Sequence, residues 1–340
     1  MDFDQIMREI TAGLTGDSEK DIQYLKEQAE KYKDHELSRE ILRACGRLLY
    51  QCVPEDRKSE LDRIIGNDRT SYESILEEVR FKQHEKKYDE ALSILEPVIR
   101  KFEEADMFTD DQVSEYHCFN EFFEEALYRM NTKPSRELRH ATFPLDRIYM
   151  QYGSLLIDLR RLEEAEAALE TAMRWNPADV SIAFEYAETF KQRGDMESFF
   201  HLTVSSFRYA FRPEQVARCL RNMGYYFIEK SMWEEAYACY RVSITYSQDA
   251  RQAMSELYYI EQKAGKPVSM PDEETLNKIS EKYGFPFGPD EEILGLSFAY
   301  GKHFAEEGET DGARYCWQIT YDLTKDDEIK KLLDDLPDNE

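Results

Sequence analysis

The sequence predicts an all-α protein built from stacked helical hairpins, and three observations support that prediction. The chain of 340 residues is dominated by the helix-forming residues Glu, Lys, Leu, Ala and Arg. It contains only 14 Gly and 11 Pro, too few for the many tight turns of an all-β fold. After Asn67, amphipathic helical patterns follow one another in pairs, and one spacing of small and bulky residues recurs along them.

The charge balance limits the classes of partner that the chain can bind. It carries 44 Lys and Arg against 70 Asp and Glu, a formal net charge of −26, and the excess is spread along the sequence. Nucleic acids and anionic lipid surfaces attract proteins through basic faces. We therefore expect neither nucleic acid nor a membrane as the general partner.

Compartment signals favour the cytoplasm. No stretch approaches the roughly 20 consecutive apolar residues of a membrane span. The opening MDFDQIMREITAGLTGDSEKD is too charged for a secretory signal. The six cysteines are scattered without a CxxC pair, which indicates buried free thiols. Together these features predict a cytoplasmic protein.

Residues 1–70 are predicted to form an N-terminal segment of short helices. Helical patterns occupy EKDIQYLKEQAEKY, HELSREILRACGRLLYQC and EDRKSELDRII. The segment carries 12 basic and 16 acidic side chains, so a DNA-reading head domain is not expected here.

One spacing recurs in three places along the rest of the chain. A glycine precedes an alanine by 12 residues, and a bulky residue follows the alanine by four; the three sets are Gly153, Ala165 and Leu169; Gly224, Ala236 and Tyr240; and Gly301, Ala313 and Trp317. The spacing predicts a hairpin in which the two small residues lie against each other. The bulky residue is then expected to fill the gap to the next hairpin.

The segment YMQYGSLLIDLRRLEEAEAALETAMRWNPADV resembles the tetratricopeptide repeat. It matches that motif at Tyr149, Tyr152, Gly153, Leu156, Ala165, Leu169, Ala172 and Pro177. A second copy starts 34 residues later, as the period of the family requires. The resemblance implies an α-α superhelix, a solenoid of helix hairpins, over residues 71–340, preceded by the N-terminal helical segment.

The repeat units differ in clarity. Clear units lie near 146–179, 180–213, 217–250 and 294–327, and weaker ones near 72–105, 106–144 and 250–290. The interval 106–144 is predicted to begin with a long aromatic helix, DDQVSEYHCFNEFFEEALYRM, followed by a Pro-bounded basic stretch without a clear second helix. The tail DDEIKKLLDDLPDNE carries one apolar stripe and is predicted to form a C-terminal capping helix.

The sequence contains no recognised catalytic or cofactor motif. The string HEKKY begins like a zinc-protease motif but ends in Tyr88, where the second ligand would be needed. Glutamate pairs such as Glu124 and Glu125 are interpreted as solvated helix faces in an acidic chain. We therefore expect no enzyme activity, no cofactor and no metal site.

The resemblance implies that the first helices of successive hairpins line a concave groove that binds a partner protein or peptide. The positions that this assigns to the groove are Arg147, Met150, Phe184, Lys191, Arg218, Arg221, Tyr225, Phe298 and Lys302. Arg and Tyr often anchor interfaces because they combine apolar contact with directed hydrogen bonds. We expect the arginines and Tyr225 to hold an acidic or C-terminal segment of the partner.

Three alternatives remain open at this stage. The groove arginines could instead pair with carboxylates of neighbouring hairpins. The carboxylate clamp of chaperone-binding relatives is not reproduced, since Met150 and Ser154 stand at its Lys and Asn positions. At the level of function, an interaction scaffold is favoured over a bacterial peptide-sensing regulator with a sensor body of this kind, because no output head is recognisable in residues 1–70. An enzyme whose active site leaves no motif is a third class.

Overall fold

The computed structural model of the protein describes residues 3–54, 69–104, 108–247 and 249–337. These ranges hold 17 α-helices, two short 3-10 helices and two four-residue strands. Neighbouring helices pack against each other along the chain. The predicted all-α fold of paired helices is confirmed. The predicted helix EDRKSELDRII, residues 55–65, lies outside the described residues.

The chain divides into two compact units, which are described separately. The first unit comprises residues 1–118 and 133–155, and the second comprises residues 119–132 and 156–340.

The first unit contains five helices, two strands and most of a sixth helix. They are α1 (Phe3–Ala12), α2 (Ser18–Lys31), α3 (Ser38–Cys52), α4 (Arg69–His84), α5 (Tyr88–Glu104), β1 (Ser114–His117), β2 (Glu137–His140) and α7 (Leu145–Asp158), whose last turn belongs to the second unit. The predicted helices over EKDIQYLKEQAEKY and HELSREILRACGRLLYQC are confirmed by α2 and α3. Asp17 caps α2 by accepting from the backbone N–H of Lys20.

The long aromatic helix predicted at the start of 106–144 is wrong. Its first half contains the four-residue strand β1, which pairs in parallel with β2, and a helix begins only at Phe122. Asp110 accepts from the N–H of Tyr116 at 3.0 Å, and Asp111 accepts from the N–H of Ser114 at 2.7 Å. These side chains take amide hydrogens that a helix would use in its own ladder, so the backbone stays extended.

The second unit contains the remaining helices. They are α6 (Phe122–Thr132), α8 (Leu162–Trp175), α9 (Val180–Arg193), α10 (Met196–Ser206), α11 (Pro213–Glu229), α12 (Trp233–Ser243), α13 (Arg251–Ala264), α14 (Glu273–Tyr283), α15 (Glu291–Glu306), α16 (Thr310–Thr324) and α17 (Asp327–Asp334). Short 3-10 helices follow α10 and α12 at Phe207–Tyr209 and Ile244–Tyr246. Its core is rich in aromatics, including the fully buried Phe123, Phe199, Phe211, Phe227 and Phe285.

Five hairpin turns in the described residues share one backbone geometry. In each, the N–H of the residue before the second helix donates to the carbonyl five residues earlier, at 2.8–2.9 Å; the pairs are Lys87 to Lys82, Arg161 to Leu156, Asp195 to Phe190, Met232 to Phe227, and Glu309 to Phe304. This bond closes a Schellman turn, which needs a residue in the left-handed region. That residue is Lys86, Arg160, Gly194, Ser231 or Gly308, with φ between 59° and 80°.

In two of the three sets, the glycine of the repeated spacing packs against the bulky residue of its own hairpin, a contact that was not predicted. In the hairpin of α11 and α12, a Cβ added at Gly224 would lie 2.6 Å from Cε2 of Tyr240, and the nearest atoms all belong to that ring. Gly301 meets the indole of Trp317 in the same way in the hairpin of α15 and α16. The bulky residue therefore covers the glycine of its own hairpin, because its side chain points back over the preceding turn.

The C-terminal helix α17 closes the apolar face of the last hairpin. Its Ile329 and Leu333 are buried against Trp317 of α16. Asp326 caps the helix by accepting from the N–H of Glu328 at 2.7 Å. The predicted capping helix is confirmed.

Candidate functional site

Two side chains of α9 reach across to α11 within the second unit. The guanidinium of Arg218 lies over the ring of Phe184 at 6.0 Å, and the ammonium of Lys191 lies over the ring of Tyr225 at 4.5 Å. In both pairs the partners are 34 residues apart in the chain. Equivalent positions of consecutive hairpins therefore contact each other, as stacking with a 34-residue period requires.

Arg218 and Arg221 stand one turn apart on α11 and are both half-buried. Among the described residues, neither forms an ion pair with a carboxylate within 4.0 Å. The Nε of Arg221 is buried and has no hydrogen-bond partner in the described structure. Burial lowers the pKa of Arg221, and the positive charge of Arg218 lowers it further. The pair therefore presents cationic hydrogen-bond donors that the chain itself does not neutralise by contact.

The side chains around Tyr225, at the other end of the contact between α9 and α11, are acidic. The Nζ atom of Lys191 also lies 3.4 Å from Oε2 of Glu188. Burial raises the pKa of the Tyr225 hydroxyl, and nearby Glu229, Glu188 and Glu256 raise it further. Along α11 the surface thus changes from basic at Arg218 and Arg221 to acidic around Tyr225. We call the residues Phe184, Lys191, Arg218, Arg221 and Tyr225 the α9–α11 surface.

The other predicted groove residues lie elsewhere. Arg147 and Met150 are on the part of α7 that belongs to the first unit, where Arg147 contacts Glu73 of α4 at 3.3 Å. That contact is the pairing with a neighbouring carboxylate that the alternative interpretation expected. Phe298 and Lys302 lie on α15, where Phe298 is exposed and Lys302 faces Glu306 at 3.8 Å.

A cleft of about 710 Å³ in the second unit was not anticipated from the sequence. One helix face of α16 forms a wall, and Arg212, Glu214 and Tyr246 stand on the other side. Its cations are engaged within the chain: Arg212 bonds both carboxylate oxygens of Glu121, Lys325 faces Asp322 at 3.1 Å, and Arg314 donates to the Pro337 carbonyl. Among the described residues, Arg212 and Lys325 are therefore paired with carboxylates, and Arg314 is bonded to a backbone carbonyl.

Glu124 is buried, which contradicts the interpretation of the glutamate pairs as solvated faces. Its carboxylate accepts from the backbone N–H of Asn120 at 2.7 Å and from Nδ2 of Asn176 at 2.9 Å. Burial is the largest effect on its pKa and raises it to about 7, although the Asn176 hydrogen bond acts in the opposite direction. The hydrogen bonds join α6 to the turn before α9.

Comparisons with known proteins do not assign the chain to a family. No protein-family model matches the sequence, and no curated protein matches it significantly. Within the described ranges, none of the helices is both long and apolar enough to cross a bilayer. In the same ranges, no three His, Cys, Asp or Glu side chains converge as metal ligands.

Proposed function

We propose that the protein is a tetratricopeptide-like interaction scaffold whose α9–α11 surface binds an acidic segment of a partner polypeptide. The observation that carries this proposal is the pair Arg218 and Arg221, half-buried on α11 and bound to no carboxylate of the described chain. Support for the repeat class comes from the shared hairpin turns and from the contacts between residues 34 positions apart.

A carboxylate suits this position for energetic reasons. Two arginines one turn apart repel each other, and the partial burial of Arg221 weakens its hydration. A bound carboxylate relieves both effects and forms charge-assisted hydrogen bonds with planar donors. Because the chain carries a net charge of −26, an acidic partner must be attracted by this local pair rather than by the overall field.

Aromatic rings beside the arginines supply the apolar part of the proposed contact. Phe184 and Tyr225 are half-buried and flank the pair from α9 and from the next turn of α11. Rings in such positions bury wide apolar area with little loss of side-chain entropy. We infer that the bound segment places apolar side chains beside its acidic residues.

The experiment is a titration of charge-reversed protein against a partner captured by the wild-type chain. We expect Arg218→Glu with Arg221→Glu to weaken binding at least about ten-fold, since two desolvated charge contacts become repulsive. Arg208→Glu with Arg241→Glu is the matched control, because it makes the same charge change at exposed positions of the second unit. Equal affinity of the two double variants would exclude the α9–α11 surface as the binding site.

A further inference from the structure

Helix α13 exposes three large hydrophobic side chains on its surface. The exposed fractions are 54% for Met254, 66% for Tyr258 and 42% for Tyr259. Single exposed apolar residues are ordinary on protein surfaces, whereas a group of them on one helix is a candidate interaction surface.

The exposed positions of α13 carry no acidic residue. They are Arg251, Gln252, Met254, Ser255, Tyr258, Tyr259, Gln262 and Lys263. Both glutamates of the helix are half-buried instead. In a chain with 70 Asp and Glu, this face stands apart as apolar and weakly basic. The exposed side chains of this face therefore do not themselves repel an acidic partner.

The positive charge of this face is concentrated near the end of α13. Arg251 is paired with Asp249 at the start of the helix. Lys263 lies over the ring of Tyr259 at 5.4 Å, and Lys266 is exposed just beyond the helix. Neither lysine has a carboxylate within ion-pair distance among the described residues. The two ammonium groups are thus available to an acidic ligand.

The spacing of the exposed residues fits a helix as the ligand. Met254, Tyr258 and Gln262 follow one another at intervals of four, and so do Ser255, Tyr259 and Lys263. Rows of side chains four residues apart form ridges with a groove between them, and a second helix packs a ridge of its own into such a groove. An extended strand would gain no backbone hydrogen bonds here, because the backbone of α13 is engaged in its own helix.

We propose that the exposed face of α13 binds an amphipathic helix of a partner protein, with the apolar stripe of that helix on Met254, Tyr258 and Tyr259 and its acidic residues beside Lys263 and Lys266. The residues of this site are not those of the α9–α11 surface, and the proposal does not rest on the function proposed for that surface. The ligand chemistry is an acidic helix with apolar side chains three or four residues apart.

The test is selection of ligands from a displayed library of random peptides of about 16 residues, roughly four helical turns, on the full-length protein. Peptides that also bind the variant Met254→Ser with Tyr258→Ser are removed by counter-selection. Both positions are exposed, so we expect this variant to keep the fold. Selected peptides are then synthesised and titrated. We expect apolar residues at intervals of three and four with acidic flanks, and binding at least about ten-fold weaker to the serine variant. Lys263→Glu with Lys266→Glu should weaken the same peptides.

The matched control is Phe81→Ser, which removes an aromatic side chain that is 60% exposed on α4 of the first unit. It should leave peptide affinity unchanged. The proposal is overturned if no peptide is enriched, if the enriched peptides lack the apolar spacing or are basic, or if they bind the serine variant equally well. It is also overturned if the wild-type chain dimerises in sedimentation experiments and the serine variant does not, since the occupant is then a second copy.

Discussion

The ring of Tyr240 lies directly on Gly224, so that helices α11 and α12 approach through a glycine and an aromatic residue. The space above the glycine is filled so closely that an added Cβ would be 2.6 Å from Cε2 of the ring. Real Cβ atoms do not come so near to a ring carbon. Both residues are buried in the core of the second unit, so the clash cannot be relieved by moving the ring into solvent.

Gly224→Ala is therefore expected to destabilise the protein. Overpacking of a tight core costs about 1–3 kcal/mol, and that cost exceeds the gain in helix propensity from glycine to alanine. Urea unfolding followed by circular dichroism measures the change in the free energy of unfolding.

Gly295→Ala in α15 is the matched control for this substitution. No atom lies within 4 Å of the Cβ position there, and the residue is exposed. We expect a gain of about 0.5–1 kcal/mol, since alanine is the better helix former. Equal effects of the two substitutions would show that the ring of Tyr240 does not rest on Gly224.

Glu124 is expected to make the stability of the second unit depend on pH. Its pKa is raised from 4.5 to about 7 in the folded protein, so folding favours the protonated carboxyl. A raised pKa gives stability that is fully present below pH 4.5 and is lost as the pH rises through 7. Relative to Glu124→Gln, the wild-type free energy of unfolding should fall by about 3 kcal/mol between pH 4.5 and pH 7.5.

Chemical denaturation at several pH values measures this difference. Glu125→Gln is the control, because it removes one charge from the adjacent, half-buried position. The comparison separates the effect of burying the carboxyl from the effect of removing a charge. If wild type and Glu124→Gln show the same pH dependence, the carboxyl is not titrating in a buried site.

The contact of α17 with Trp317 should be detectable by fluorescence. Ile329→Ser with Leu333→Ser removes the two buried side chains of α17 that pack in one cluster with the indole. We expect a red shift of the tryptophan emission, to which Trp317 contributes one of three indoles, and a loss of about 3 kcal/mol of stability, since each side chain contributes about 1.5–3 kcal/mol by burial. Lys330→Ser, at an exposed position of the same helix, should change neither quantity. A red shift of similar size in the control would indicate that α17 does not cover the indole.

Glu121 links two helices at the wall of the cleft. It accepts from the Tyr315 hydroxyl at 2.5 Å and from Arg212. Burial raises the pKa of Tyr315, and the hydrogen bond to Glu121 and its negative charge raise it further. Tyr315→Phe should cost about 1–2 kcal/mol, because a charge-assisted hydrogen bond is lost while the ring remains. In a double-mutant cycle with Glu121→Gln, the two effects should not add. Additive effects would contradict the hydrogen bond.

Features that repeat along the chain were predictable, because residues at equivalent positions of successive repeats make equivalent contacts. Leu156, Phe190, Phe227 and Phe304 mark one motif position in the sequence, and their carbonyls all accept the closing bond of a hairpin turn. The period of 34 residues likewise predicted that Phe184 and Lys191 would face the same side as Arg218 and Tyr225.

Features that depend on one distant partner were not predictable. Strand β1 forms beside residues 137–140, and no local pattern in Ser114–His117 reveals that pairing. The burial of Glu124 depends on Asn176, which is 52 residues away and belongs to another helical pair. Phe298 and Lys302 follow the irregular interval 250–290, so the period no longer fixes their place relative to Arg218.

In three of the five shared hairpin turns, the left-handed position that favours glycine is occupied by a residue with a side chain. Lys86, Arg160 and Ser231 have positive φ, whereas Gly194 and Gly308 meet the same demand without a Cβ. A left-handed conformation costs an ordinary residue about 1–2 kcal/mol. Replacement of these three residues by glycine should therefore remove the strain and make the protein more resistant to heat. None of the three belongs to either proposed binding face.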